Sequence, residues 1–241
     1  MEKIIAGHKL INRMNCTSCH AIENKAGYVL SHYTDDSSAG PPNLNTEGQK
    51  LQPDWFYDYL MNPDVMIRPW VKIRMPQFHM STEDATVLTK YFAAFDEAPY
   101  PFLATPAQPL SSSEFAEAKR LVEENCLSCH APVSPGGDVE AAAPHFANVR
   151  YRLRPDWIPG WVKDPQKIMP GTRMPQLWLP ENPEDPKSKI FAIPGYFGDD
   201  PEKQMLKVRD YLFAISEKAE LPSPRNEKKK KEETSLGAGA E

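Results

Sequence analysis

All four cysteines of this chain lie in two copies of one short pattern, Cys-x-x-Cys-His. Cys16 and Cys19 precede His20, and Cys126 and Cys129 precede His130 in the same way. Two thiols at this spacing can each add to a vinyl group of a haem, while the adjacent imidazole ligates the iron from the same side. The pattern therefore predicts two covalently bound c-type haems (heme c), with His20 and His130 as iron ligands.

Three other uses of paired cysteines fit this sequence less well. Disulfide frameworks are typical of much shorter secreted chains than one of 241 residues. A zinc site usually has its two cysteine pairs roughly 15–20 residues apart, whereas here they are about 110 residues apart. A thioredoxin-like redox pair needs a βαβ context, which neither copy has, and it would not explain the histidine.

The chain is also an internal repeat, because further landmarks recur in the same order in both halves. These pairs are Pro42 and Pro144, Trp55 and Trp157, Pro63 and Pro165, Met75 and Met174, and Tyr91 and Tyr211. Such self-similarity is typical of a duplicated domain. We expect one domain at 1–100 and another at 111–221, joined by a proline-rich linker at 101–110. Residues 222–241 have the composition of a disordered charged tail.

Each half has the pattern of three helices. The first runs into the haem motif, with Ile4, Ile5, His8 and Ile11 at helical spacing in one half, and Phe115, Ala118, Leu121 and Val122 in the other. A middle helix follows Pro53 or Pro155 and stops near the next proline, and a last helix begins in the first half at a capping signature, Ser81. Ser111–Ser113 supplies an N-cap in the second half. No segment alternates convincingly as a strand does, so the sequence predicts an all-α fold.

The second axial ligand of each iron is predicted from the repeated Arg-Met-Pro segment. Met75 and Met174 lie in proline-flanked loops between helices, where no helical periodicity would bury them as core residues. Met80 and Met169 are the nearest alternatives. Three histidines rank lower because they lack a counterpart in the other half: His32, His79 and His145.

Two further pairs of repeated residues have more than one open interpretation. Arg74 and Arg173 could neutralise haem propionates with a guanidinium fork or could lie on the surface. Trp55 and Trp157 could pack on the macrocycle, could donate to a propionate through the indole N–H, or could simply fill the core.

The order of these motifs resembles that of class I c-type cytochromes. The Cys16–His20 motif, the loop Gly40–Leu44 and the segment Arg74–Pro76 carry the resemblance, and residues 111–221 resemble a second copy. The match covers about 220 of the 241 residues, so the whole chain resembles a diheme cytochrome c. The resemblance implies two tandem domains, each with about three helices wrapped around one haem. It also implies that the carbonyls of Pro42 and Pro144 hold the N–H of the iron-bound histidines, although the second loop departs from the pattern.

A His/Met pair leaves no open position on the iron, so the sequence predicts electron transfer without catalytic residues. The alternative in another class is a diheme peroxidase, in which one methionine would not be a ligand. A third interpretation makes the chain a cytochrome subunit of a membrane respiratory complex that oxidises quinol. Relative to the first half, the second half carries an insert of about 21 residues before its last helix. It includes apolar and aromatic segments and could wrap its own domain or dock on a partner.

Charge and hydropathy exclude other classes. Asp and Glu number 33 against 28 Lys and Arg, for a net charge of −5, which argues against a nucleic-acid binder. No run of about 18 apolar residues predicts a membrane span. We expect redox protein partners, in the periplasm or on the outer face of a bacterial cytoplasmic membrane, although the first residues lack an export-signal pattern. The lysine run 228–231 could contact anionic partners or belong to a solvated tail.

Overall fold

The computed structural model describes residues 2–23, 25, 27–33, 36–63, 67–68, 71–102, 109–130, 143–185 and 187–216. These residues are mostly helical and form no β-strand, only isolated bridges. The all-α prediction is therefore confirmed for the described part of the chain. The central part of the predicted linker, the predicted tail and its lysine run lie outside these residues.

None of the described helices is both long enough and apolar enough to span a membrane. Backbone contacts divide the chain into two compact units. The first contains the described residues within Met1–His32 and Gly40–Leu103, and the second contains those within Tyr33–Ala39 and Ala104–Ala219.

Among the residues that the structure describes, the first unit has four α-helices: α1 (Glu2–Arg13), α2 (Glu47–Lys50), α3 (Pro53–Met61) and α4 (Thr82–Phe95). Proline at the first position starts α3, as predicted. Ser81 caps α4 through a capping box with Asp84, which also confirms the predicted start of that helix.

Helices α1 and α4 cross at a glycine. A Cβ atom on Gly7 would lie 2.3 Å from ring atoms of Tyr91, so only glycine permits this approach. The buried face of α1 consists of Gly7, Leu10 and Ile11. The predicted face was wrong at Ile5, which is 50% exposed because it lies on the opposite side of the helix from this contact.

The described part of the second unit contains five α-helices: α5 (Ser112–Asn125), α6 (Val149–Arg152), α7 (Trp157–Lys163), α8 (Pro165–Ile168) and α9 (Pro201–Ser216). Ser111 caps α5 through a capping box with Glu114, as the sequence predicts. Helix α7 ends shortly before Pro165, which starts α8 in a position that suits proline. The core joins Leu121 and Val122 of α5 to Ile158 of α7 and to Val208 and Leu212 of α9.

The insert of the second unit packs against its own core through part of its apolar residues and exposes others, Leu179 and Phe191. Trp178, Tyr196 and Phe197 are buried there. Gln204, wholly buried in α9, accepts from the Trp178 indole and the Ile193 amide, and it donates to the carbonyls of Ile193 and Tyr196. One polar side chain therefore holds three points of the insert.

Candidate functional site

Each Cys-x-x-Cys-His segment folds into one tight turn with the same hydrogen bonds. The amide of His20 donates to the carbonyl of Cys16 at 2.9 Å, and that of Cys19 donates to the same carbonyl at 3.2 Å. The second copy repeats both bonds from His130 and Cys129 to Cys126, again at 2.9 and 3.2 Å. The turn brings the two cysteines and the histidine of each copy together at the end of the unit's first helix.

A proline carbonyl orients the imidazole in each copy. His20 Nδ1 lies 2.8 Å from the oxygen of Pro42, and His130 Nδ1 lies 2.8 Å from that of Pro144. Because a carbonyl oxygen only accepts hydrogen bonds, Nδ1 must carry the proton. Nε2 is then the unprotonated nitrogen in the neutral ring, and its lone pair is free to ligate a metal.

Burial favours the uncharged forms of these groups. It lowers the pKa of His20 and of His130, against the opposing effect of the proline carbonyls. Burial also raises the pKa of the Cys16 thiol and, together with the charge of Cys129, raises the pKa of Cys126 to about 11. Redox-active Cys-x-x-Cys pairs have a lowered thiol pKa, so this chemistry does not favour the thioredoxin-like interpretation.

All four cysteines are free thiols in this structure. Among the described residues, no three His, Cys, Asp or Glu side chains form a group that could hold a metal ion. At either motif, the described residues therefore do not present the four-ligand set of a structural zinc site.

The surroundings of His130 contain a polar atom without a protein partner. His130 stacks on Phe146, with ring centroids 4.6 Å apart. Nδ1 of His145, next to the Pro144 carbonyl, is buried and has no hydrogen-bond partner among the described residues. Buried polar atoms are normally paired, so this nitrogen fits a site that receives a further group.

The predicted methionines lie in loops in both units. Met75 is partly buried in the extended segment before α4, and Met174 is partly buried against the core of the second unit. The amide of Met174 donates to the Thr172 hydroxyl at 3.3 Å. Of the alternatives, Met80 is 6% exposed and belongs to the core, whereas Met169 is partly buried at the end of α8. Their assignment as iron ligands stays a prediction.

The two predicted arginines are exposed and already bonded to protein groups. Arg74 donates to the carbonyls of Val71 and Ile73. Arg173 forms an ion pair with Asp36, in the short segment that belongs to the second unit. A propionate contact of either guanidinium stays a prediction.

The two predicted tryptophans belong to stacked aromatic pairs on the middle helices. Trp55 stacks on Tyr59 with centroids 5.0 Å apart, and Trp157 stacks on Trp161 at 4.9 Å. We did not predict Tyr59 and Trp161 from the sequence. The signal was present, because an aromatic residue follows the tryptophan by four positions in both halves, which places both rings on one face of a helix.

Comparison of the chain with protein-family models, with curated proteins and with solved structures gives no match.

Proposed function

We propose that this chain is a diheme c-type cytochrome that relays single electrons between a redox donor and an acceptor. One observation carries the proposal: each of two Cys-x-x-Cys-His turns has its imidazole held at Nδ1 by a proline carbonyl. This arrangement leaves one metal-binding nitrogen beside two thiols, and it occurs twice with the same distances.

The chain's own residues have separate tasks in this proposal. Cys16 with Cys19, and Cys126 with Cys129, would form thioether bonds to the two haem groups. His20 and His130 would ligate iron through Nε2, and the carbonyls of Pro42 and Pro144 would keep the rings in position. The haem would supply one-electron chemistry when bound, and the buried His145 Nδ1, which has no hydrogen-bond partner among the described residues, supports a further polar group in this site.

Met75 and Met174 would complete the coordination. A thioether opposite the imidazole raises the reduction potential and closes the site to small molecules. We therefore propose a carrier and not an enzyme, working with redox protein partners such as a membrane respiratory complex that oxidises quinol. The expected location is the periplasm or the outer face of a bacterial cytoplasmic membrane.

The absorption spectrum of the full chain, produced in a host that attaches c-type haem, tests the proposal. We expect two haems per chain that stay bound in denaturant. The oxidised protein should be low-spin, with the weak red charge-transfer band of methionine ligation at the intensity of two haems. A chain without covalently bound haem would overturn the proposal. One high-spin haem that binds cyanide quickly would instead support the peroxidase alternative.

A further inference from the structure

The loop that carries Met174 in the second unit contacts an acidic residue from far away in the sequence. Arg173 immediately precedes Met174, and its guanidinium forms an ion pair with the Asp36 carboxylate. Asp36 lies 137 positions before Arg173, yet backbone contacts place both residues in the second unit. A segment from the first half of the sequence therefore holds the residue next to the proposed ligand of the second centre.

The Asp36 carboxylate is ordered by its own turn. Its Oδ1 accepts hydrogen bonds from the amide of Ser38 at 3.1 Å and from the Ser38 hydroxyl at 2.5 Å. The amide of Ala39 donates to the Asp36 carbonyl at 3.1 Å and closes the turn. The other carboxylate oxygen, Oδ2, accepts from Arg173. Because Ser38 already fixes the carboxylate, less side-chain entropy is lost when the guanidinium binds it.

Helix α8 holds the other side of the same loop. The Gln166 side chain donates to the carbonyl of Thr172 and accepts from the amide of Gly171 at 3.3 Å. The Thr172 hydroxyl in turn accepts from the amide of Met174 at 3.3 Å. The loop is thus attached to α8 before Met174 and to Asp36 on its exposed side.

The first unit holds the corresponding arginine differently. Arg74 donates to the carbonyls of Val71 and Ile73, which lie three positions and one position before it in the same segment. These two hydrogen bonds link residues that are already close along the chain. The Asp36 contact instead joins two segments far apart in sequence, so it restricts the movement of the loop relative to the rest of its unit.

We propose that Asp36 is a positioning residue of the second centre, which acts through Arg173 to hold the Met174 loop against displacement from the iron. This inference rests on the proposed function. The pair is partly exposed, with Arg173 59% and Asp36 31% accessible. Exposed pairs contribute only modestly to stability, so we expect a local effect on ligand exchange and not a loss of the fold.

Cyanide titration of the oxidised holoprotein tests this inference, because cyanide replaces the thioether on ferric iron without a change of oxidation state. In a Met75→Ala background, the remaining red charge-transfer band reports Met174 alone. Asp36→Asn should lower the cyanide concentration that removes half of this band by about two- to fivefold. Asp36→Glu, which keeps the charge, should retain most of the resistance. In a Met174→Ala background, where the band reports Met75, Asp36→Asn should have no effect.

Two further variants separate the ion pair from other effects of substitution. Arg173→Gln should also lower the cyanide concentration, and Asp36→Asn should add nothing to it in the double variant, because either change alone removes the contact. Glu123→Gln is the matched control, since Glu123 pairs with Lys119 on α5 at 3.6 Å, and the two side chains are 48% and 52% exposed. It should leave the titration unchanged.

The outcomes of these titrations are distinct. An unchanged titration in Asp36→Asn, additive effects in the double variant, or an equal shift in Glu123→Gln would each overturn the inference. A Met75→Ala protein with two bound haems and no red band would show that Met174 is not a ligand, which overturns the inference and leaves the covalent haems in place. A chain without bound haem would overturn the proposed function as well.

Discussion

At the scale of single residues, each unit orients its motif imidazole with a main-chain carbonyl. The loops around Pro42 and Pro144 have different neighbours, since Asn43 follows one proline and His145 follows the other. Both loops nevertheless place the proline oxygen 2.8 Å from Nδ1. Every residue has a main-chain carbonyl, so this hydrogen bond to the histidine depends on the path of the backbone and not on the neighbouring side chains. The second loop can therefore differ in sequence from the first and still place its proline oxygen at the same distance.

Glu114 gives a residue-scale prediction about acid stability. Lys207 and then Ser111 donate hydrogen bonds to its carboxylate and lower its pKa from 4.5 to about 2. A carboxyl group whose pKa is lower in the folded state stabilises the fold fully above its unfolded pKa and loses that contribution as the pH falls. Glu114→Gln keeps a capping-box residue and removes the charge.

We therefore expect wild type to exceed Glu114→Gln in free energy of unfolding above about pH 4.5, with the difference shrinking towards pH 2. Urea unfolding at a series of pH values measures this difference. The carboxylate is partly exposed, so about 1 M salt should reduce the difference. A difference that stays constant from pH 6 to pH 2 would contradict the role assigned to the Lys207 and Ser111 contacts.

At the scale of elements, local signals in the sequence predicted helix starts well. Ser81 and Ser111 begin helices because their hydroxyls accept an amide of the first turn, a device that needs no tertiary contact. The face that a helix buries in tertiary contacts was harder to predict. Ile5 is exposed because the crossing with α4 selects the face of α1 that carries Gly7, and a glycine gives no apolar signal.

Gln204 was missed for a related reason. From sequence, a glutamine in an amphipathic helix is expected to be exposed to solvent. Only the structure shows that the insert covers Gln204. In the candidate site, the motif cysteines and histidines could be predicted because their spacing is local. The contact between Asp36 and Arg173 could not, since the two residues lie 137 positions apart in the sequence.

The Gln204 contacts predict an element-scale loss of stability. Gln204→Ala removes the hydrogen bonds of four polar groups in the insert, two of them at buried and two at partly buried sites, and opens a cavity under Trp178. We expect a loss of about 3–5 kcal/mol in the free energy of unfolding of the second unit, measured by urea unfolding of the holoprotein. Gln176→Ala is the control, because Gln176 is partly exposed and donates only through its amide nitrogen, to the carbonyls of Lys163 and Trp178. It should cost less than about 1 kcal/mol, and equal losses in both variants would show that the insert is not held by Gln204.

At the scale of the whole molecule, the chain repeats one plan with separate local variations. Both units have the motif turn, the proline carbonyl, the stacked aromatic pair on the middle helix and the loop methionine. The first unit also has the buried Glu47–Lys50 ion pair, and the second has an insert that hydrogen-bonds to the buried Gln204. A duplicated plan predicts that the two proposed axial ligands, Met75 and Met174, can be removed independently of each other.

Single methionine variants test this independence and the ligand assignment together. Met75→Ala and Met174→Ala should each remove about half of the red charge-transfer band and leave one iron that binds cyanide, because only one of two equivalent thioethers is lost. Absorption spectroscopy of the oxidised holoproteins measures both effects. Met80→Ala and Met169→Ala are the matched controls and should keep the full band. Loss of half the band in Met169→Ala, with the full band in Met174→Ala, would move the ligand of the second unit to the end of α8. A full band in all four variants would remove methionine from the coordination altogether.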